Sequence, residues 1–382
     1  MVILLVLPYT FPCTLAYFKS LKGLTGEYIF GILLSKLVKL TYSFIFDEES
    51  VFVELKMKKI IKITVIVLAV IYFVIAPIVI AVIHGRVMSK CTYDEYDNEK
   101  MLVYDDVATD YPREKFQVTS GENKLSVYLY GKDNTKGLIV VSPGHRDAND
   151  IKLYEIMFFV DEGYKVICFD YTGCYTSEGD TFGKYTQAVY DLDAILTYCD
   201  NNKEFSDMPV YLFGHSLGGY ATGAVLNYDH RVDAVVVASG FDCAKEQWEC
   251  SVKRFTEPVY FLIRPVNLAF ITLKYGEDRN LSAVDGINKS DIPVLVISAE
   301  IDGFYGDGKS PIYNKKDSIT NTKCEFVLMD QQNHNEHYTY FLTDNAVEYQ
   351  KNDPQGMIDK KLFMEHDENV MKMICDFYEQ SR

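Results

Sequence analysis

The sequence predicts an α/β fold: a mostly parallel eight-stranded sheet with helices on both faces and a short helical cap, preceded by an N-terminal transmembrane helix. Three observations predict it. From about Lys115 onward, short apolar runs alternate with segments of helical spacing, the pattern of strands linked by crossover helices. The polar residues that carry chemistry sit at the C-terminal ends of those runs, the edge at which open parallel sheets bind ligands. Upstream, Ile63 to Ile83 carries no charge over 21 residues, and at helical rise that run spans a hydrocarbon core of about 30 Å.

The elements follow in order. Lys115–Thr119 and Leu125–Tyr130 form a hairpin around the Gly121-Glu122 turn. Leu138–Val141 is a strand ending at Pro143-Gly144, and Lys165–Phe169 is a strand ending at Asp170. Val210–Phe213, Ala234–Ala238, Val294–Ile297 and Glu325–Met329 complete the sheet. Helical spacing marks Ile151–Glu162, Tyr185–Tyr198, the small-residue segment after Ser216, and a closing amphipathic helix from about Lys360 to Tyr378. Between about 241 and 290 the strand pattern breaks. This is the cap insertion, with the apolar Val259–Leu273 and Trp248 assigned to it. Packing onto the domain is the first expectation for Val259–Leu273. Lining an acyl pocket or resting on a bilayer is the alternative.

Domain boundaries fall at 1–56, an N-terminal extension; 57–86, a signal anchor; 87–114, a linker; and 115–382, the catalytic part. A core helix rarely stays apolar on every face for 21 residues, so Ile63–Ile83 reads as a membrane span, with Pro77 tolerated inside it. The run is longer than the apolar stretch of a cleaved signal, and no small-residue cleavage site follows at His84-Gly85-Arg86. Lys56, Lys58, Lys59 and Lys62 precede the span; Arg86 and Lys90 follow it, and then the acidic Asp94, Glu95, Asp97 and Glu99. That bias places the N-terminal side in the cytoplasm and the large C-terminal part outside. The expected location is therefore the cell membrane, single-pass, with the catalytic part extracytoplasmic. Met57 reads as the natural start of the anchor. Val2 to Phe18 is apolar but broken by Pro8 and Pro12, and reads as a second candidate membrane segment.

The formal charge of −16 argues against nucleic acid as a partner, because phosphate binding needs a basic face. The nine cysteines show no zinc-site spacing and read as small buried hydrophobes rather than as a disulfide framework.

Gly214-His215-Ser216-Leu217-Gly218 matches G-x-S-x-G between an apolar strand and a helix rich in small residues, the context the motif requires. The glycines let the turn close while the Ser216 hydroxyl projects from it. A serine hydroxyl is a weak nucleophile that needs a base, and the base needs an orienting carboxylate. The chain order Ser, Asp, His is met by Ser216, Asp302 after the seventh strand, and His334 after the eighth. Glu300 is the rival acid and His337 the rival base. Asp302 is preferred because it lies beyond the strand with chain to reach over the edge, and His334 because it comes first in its loop. An oxyanion hole needs two preorganised backbone N–H donors, expected from Leu217 and from His145 in the loop Ser142–Arg146.

With these residues in view, the chain from about Lys115 resembles the α/β-hydrolase superfamily. It is most similar to the bacterial branch of lysophospholipase-like and serine-aminopeptidase-like hydrolases with an N-terminal membrane anchor. Ser142-Pro143-Gly144-His145, Asp170-Tyr171-Thr172-Gly173 with Ser177 and Gly179, and Gly214-His215-Ser216-Leu217-Gly218-Gly219 carry the resemblance, completed by Asp302 and His334. It implies Ser216 as nucleophile, His334 as base, Asp302 as its partner, and His145 and Leu217 as oxyanion donors. Pro143 stands where many relatives have His, and Glu336–Gly356 is a polar insertion before the last helix. The expected activity is hydrolysis of a carboxylic ester, lipid-like in view of the anchor and apolar cap, or of a thioester or amide, through an acyl-enzyme, with no metal or organic cofactor. Ester cleavage is preferred to peptide cleavage. The alternatives are a peptidase or acyltransferase on the same triad, and a non-catalytic membrane-tethered binding module.

Overall fold

The computed structural model describes residue 35 and residues 52–92, 100–305, 308–352 and 359–382. The Val2–Phe18 segment and the acidic residues 94–99 lie outside the described residues. The chain divides into two compact units, Met1–Val74 and Ile75–Arg382. In the first unit, α1 (Phe52–Val70) leads into a π-helical turn, Ile71–Ile75. The second unit opens with α2 (Ala76–Val87), with Pro77 in its first turn. Among the described residues, one helix, Lys56–Val87, is long and apolar enough to cross a membrane.

The second unit holds the sheet: β1 (Arg113–Ser120), β2 (Asn123–Tyr130), β3 (Leu138–Ser142), β4 (Lys165–Phe169), β5 (Val210–His215), β6 (Ala234–Ala238), β7 (Val294–Ala299) and β8 (Cys324–Met329). The spatial order is β1-β2-β4-β3-β5-β6-β7-β8. β1–β2 and β2–β4 are antiparallel, and the other pairs are parallel. Eight mostly parallel strands are thus present as the apolar runs predict.

The central strands are apolar at consecutive positions because both sheet faces are covered. Along β5, Val210 and Leu212 join the core on one face, while Tyr211 and Phe213 join the core on the other. Side chains alternate faces along a strand, so one run of residues feeds two cores. Helices α3 (Leu153–Asp161) and α10 (Glu368–Gln380) contribute to the second core; α4 (Gln187–Asn201) and α5 (Leu217–Ala224) contribute to the first. Their buried aliphatic side chains are worth about 1.5–3 kcal/mol each.

Between β6 and β7 the chain forms α6 (Ala244–Thr256), α7 (Tyr260–Tyr275) and α8 (Ala283–Lys289). Trp248 on α6 is fully buried, and α7 packs on α6 and α2. His84 of α2 sits edge-on to Trp248, Phe270 and Tyr275, at centroid distances of 5.2, 5.4 and 6.0 Å. Thus α7 has one packed face, while Phe261, Leu262 and Leu273 remain exposed.

The closing helix is shorter than its periodicity predicts. A single turn, Lys360–Phe363, is followed by α10, with Asp367 capping the new start by accepting from the Asn369 N–H. The segment from Glu336 is less polar in space than in sequence. Tyr340, Phe341 and Leu342 are buried, and α9 (Asp344–Asn352) follows them.

Two features of the topology build the site. The chain runs from β3 outward to β4, then returns to β5 on the other side of β3. The C-terminal ends of β3 and β5 therefore diverge at a switch point, where open sheets form a crevice. Ser142 at the end of β3 is in register with Gly214 at the end of β5, which sets the loop after β3 beside the turn after β5.

Candidate active site

Ser216 sits on the turn between β5 and α5 with φ +58° and ψ −115°, a strained conformation for a residue with a side chain. Two backbone bonds hold it there: Ser216 N–H donates to Ala238 O at 2.9 Å, and Tyr220 N–H donates to Ser216 O at 3.1 Å. The flanking glycines are required by close approach. A Cβ on Gly214 would overlap the Gly218 carbonyl, and a Cβ on Gly218 would overlap the Ser142 carbonyl and come within 2.8 Å of Pro143 O. Gly218→Ala is therefore expected to push the β3 loop off the turn, with loss of most activity and a clearly lower melting temperature. Parallel turnover and thermal-melt measurements check this.

Asp302 lies beyond the end of β7 and is fully buried. Its N–H donates to Gly308 O at 2.7 Å, its Oδ1 accepts from Phe304 N–H at 3.1 Å, and its Oδ2 lies 2.7 Å from His337 Nδ1. The rival acid Glu300 instead accepts from the Asn335 side chain.

The histidine on Asp302 is His337, not His334. Both ring nitrogens of His334 are occupied elsewhere: Nδ1 is 3.1 Å from Thr339 O, and Nε2 is 2.7 Å from the exposed Asp344 carboxylate. The reason is the path of the chain. Leaving β8, it turns at once, with Asn333 at φ +71° and His334 N–H donating to Gln331 O at 2.9 Å. His334 is used up in that turn. From β8 to β5 are three strand spacings, roughly 14 Å. The extra residues to His337 let the imidazole reach inward over the sheet edge. There its ring lies 4.7 Å from His215 and 4.3 Å from Phe304, centroid to centroid. The His337 carbonyl is tied to His215 Nε2 at 2.9 Å. With Nδ1 on Asp302, Nε2 is the nitrogen left for proton transfer.

The loop after β3 is held from below. Gly144 N–H donates to Asp147 Oδ2 at 3.0 Å, and Asp147 N–H returns to Gly144 O at 3.3 Å. Lys152, almost wholly buried, reaches Asp147 Oδ2 at 3.4 Å and Glu155 Oε1 at 3.2 Å. Glu155 is fully buried, with His366 Nε2 at 3.7 Å. Burial alone would raise its carboxyl; Lys152 and His366 outweigh that and hold it well below the usual carboxylate range. Tyr338, next to His337, packs its ring 5.3 Å from the Lys152 ammonium. The N–H groups of His145 and Leu217 have no acceptor among the described residues, and Leu217, first in α5, has none available within its helix. Burial, with the neighbouring Arg146 guanidinium, pushes the His145 imidazole down to about 4, so its side chain is neutral at pH 7.

Tyr305 is a site residue that sequence patterns do not single out. Its hydroxyl donates to Ser239 O at 3.0 Å; burial and the Asp302 charge push the phenol far up, and the nearby Ser216 side chain acts the other way. Nothing in its local sequence marks it; it is visible only because the chain after Asp302 folds back over β6.

Asp242, Cys243 and Glu246 converge as a metal site might, but Lys315 Nζ occupies the space at 2.6 Å from Asp242 and 2.5 Å from Glu246. An ammonium already supplies the positive charge there. Two shallow clefts, one flanked by Leu295, Val327 and Met373 and the other by Val118 and Tyr198, contain none of the residues above.

Residues 133–285 match the family model described as serine aminopeptidase, S33. The esterase Pf2001 of Pyrococcus furiosus superposes with a TM-score of 0.51 at 16% identity, over 73% of this chain and 94% of that one. The sheet order, the strained Ser216 turn and these matches decide the class. The chain is an α/β hydrolase by fold. Among curated relatives, the lysophosphatidylserine lipase ABHD12 of Danio rerio is 29% identical over 180 residues, 46% of this chain and 42% of that protein. Protein ABHD12B of Homo sapiens is 33% identical over 135 residues, 34% of this chain and 32% of that protein. The chain thus spans less than half the length of these relatives.

Proposed function

We propose that this α/β hydrolase cleaves a lipid-like carboxylic ester through an acyl-enzyme, with Ser216 as nucleophile, His337 as base and Asp302 as the carboxylate that orients the base. The observation that carries the reading is the 2.7 Å bond from His337 Nδ1 to the buried Asp302, which leaves Nε2 for proton transfer; the serine held at φ +58° on the turn after β5 supports it.

In the first step Ser216 Oγ attacks the ester carbonyl while His337 Nε2 takes its proton. Asp302 keeps Nδ1 protonated and stabilises the imidazolium that forms. The carbonyl oxygen becomes an oxyanion, received by the N–H groups of Leu217 and His145. His337 then returns the proton to the leaving alcohol. Water, activated by the same imidazole, releases the acid and restores Ser216. In this assignment Tyr305 orients the Ser216 hydroxyl before attack.

A lipid-like substrate is supported by three things: the names of the curated relatives, the apolar helix Lys56–Val87, and the exposed Phe261, Leu262 and Leu273 on the cap. We assign the span to 57–86, the linker to 87–114 and the catalytic part to 115–382, with the cap at about 241–290. The catalytic part faces away from the cytoplasm in this reading, which the lysines before the span support. The family model's description favours one second reading, release of N-terminal amino acids from peptides. Turnover of p-nitrophenyl esters from acetyl to palmitoyl, of lysophosphatidylserine, and of aminoacyl p-nitroanilides separates the two. The proposal expects ester turnover that rises with chain length and at least 100-fold weaker anilide cleavage. Anilide cleavage equal to or above ester cleavage favours the peptidase.

A further inference from the structure

We propose that Cys91 and Cys174 are joined by a disulfide that clamps the segment following the apolar helix onto the loop after β4. Three observations on these two residues support it. They are β-bridge partners: Cys91 N–H donates to Gly173 O at 3.0 Å, and Tyr175 N–H donates to Cys91 O at 2.9 Å. Bridged backbones lie about 4.8 Å apart, within the roughly 4.4–6.8 Å that a disulfide spans between Cα atoms. The two Sγ atoms approach to 3.1 Å. That is inside the ~3.5–4.0 Å at which non-bonded carbon atoms rest, although sulfur is the larger atom. Both side chains are about 1% exposed, so the two sulfurs are shielded from solvent.

The position matters for the site. Tyr175, next to Cys174, donates its hydroxyl to Arg146 O at 2.5 Å, and Arg146 Nη1 donates to Ser89 Oγ at 2.9 Å. Arg146 has φ +66° and follows His145 directly. The covalent link between 91 and 174 therefore closes a ring of contacts: linker, β4 loop, and the loop that presents the His145 N–H. It adds a second tie on that loop besides the one from Lys152 through Asp147.

The chemistry balances by exchange. A thiolate of one cysteine attacks an oxidised dithiol carrier to give a mixed disulfide. The second thiolate then attacks the first sulfur, forming the Cys91–Cys174 bond and releasing the carrier as a dithiol. Two protons and two electrons leave the protein. Both thiols are buried once the chain is folded, so the bond forms during folding, in a compartment that supplies such a carrier.

The test uses the full chain in membranes. Acid quenching, blocking with N-ethylmaleimide and proteolysis without reductant are followed by mass spectrometry. The expected result is a peptide pair linked through Cys91 and Cys174. Reduction of the solubilised protein should lower its melting temperature by about 5–10 °C, since the link closes a loop of 83 residues. Cys91→Ser and Cys174→Ser should each melt like the reduced wild type and show no further drop with reductant. Maleimide on both cysteines overturns the proposal. A second arm, equilibrating the solubilised protein with oxidised glutathione, shows why. Linkage appearing only there means a reducing compartment, which also overturns the extracytoplasmic reading. No linkage even there means the geometry itself is wrong. Neither outcome touches the ester chemistry.

Discussion

Replacing His337 with alanine is expected to lower kcat/KM for an ester about 10⁴–10⁶-fold, whereas His334→Ala costs less than tenfold. The contrast is large because the two imidazoles, three residues apart, have different neighbours. His337 has a buried carboxylate on Nδ1 and an open Nε2, while His334 spends both nitrogens on Thr339 O and Asp344. Removing His334 loses the bond to Thr339 O and a pair with an 88% exposed carboxylate, a pair of the kind worth about 0–1 kcal/mol, and leaves the Asp302–His337 bond intact. In the proposed mechanism, removing His337 leaves Ser216 with no base. Asp302→Asn should cost about 10⁴-fold, because an amide cannot hold the imidazole in the required tautomer. Steady-state kinetics on the same ester for all three variants checks the set. If His334→Ala is the damaging substitution, the turn after β8 has been misassigned.

The largest stability effect is expected at Lys152. Lys152→Ala strips the cation from Glu155, whose carboxylate is fully buried and depends on that charge to stay ionised. Breaking one half of a buried pair costs about 3–5 kcal/mol, because the remaining charge is left uncompensated. For a unit of this size that is a fall of roughly 10 °C in melting temperature. Lys152→Met keeps most of the volume and should fall almost as far, which separates lost charge from lost packing. The double variant Lys152→Met, Glu155→Gln should recover a large part of the loss, since neither charge is then buried alone. Thermal melts of the three proteins in one detergent decide it. Full stability in Lys152→Ala would mean that Glu155 takes up a proton at little cost.

The sheet was legible in the sequence because both faces of its central strands are covered. Such strands read as short unbroken apolar runs bounded by glycine, proline and aspartate, and few other structures look like that. Ser216 was legible for a related reason. The glycines at 214 and 218 are dictated by backbone overlap, so the motif records geometry. The position of Asp302 just beyond β7 was legible too, while its catalytic part is proposed.

His337 was not. Two histidines three residues apart follow β8, and the choice depends on a turn at Asn333 and on crossing three strand spacings. Neither leaves a local pattern. Lys152 and Glu155 were illegible because an i, i+3 Lys–Glu pair on a helix start usually marks a solvated face. Only the packing of Tyr338 and His366 above them makes it an interior one. Cys91 and Cys174 stand 83 residues apart. Nothing short of the fold brings them together.

The central claim is that Ser216 is an activated nucleophile. Labelling of the folded full-length protein with a fluorophosphonate, followed by peptide mapping, tests it most directly. One adduct is expected, on Ser216, at full rate in wild type and in His334→Ala, strongly slowed in His337→Ala, and absent in Ser216→Ala. A folded wild-type protein that takes no label, or an adduct that persists in Ser216→Ala, would contradict it and leave a membrane-tethered binding module as the better description of this fold.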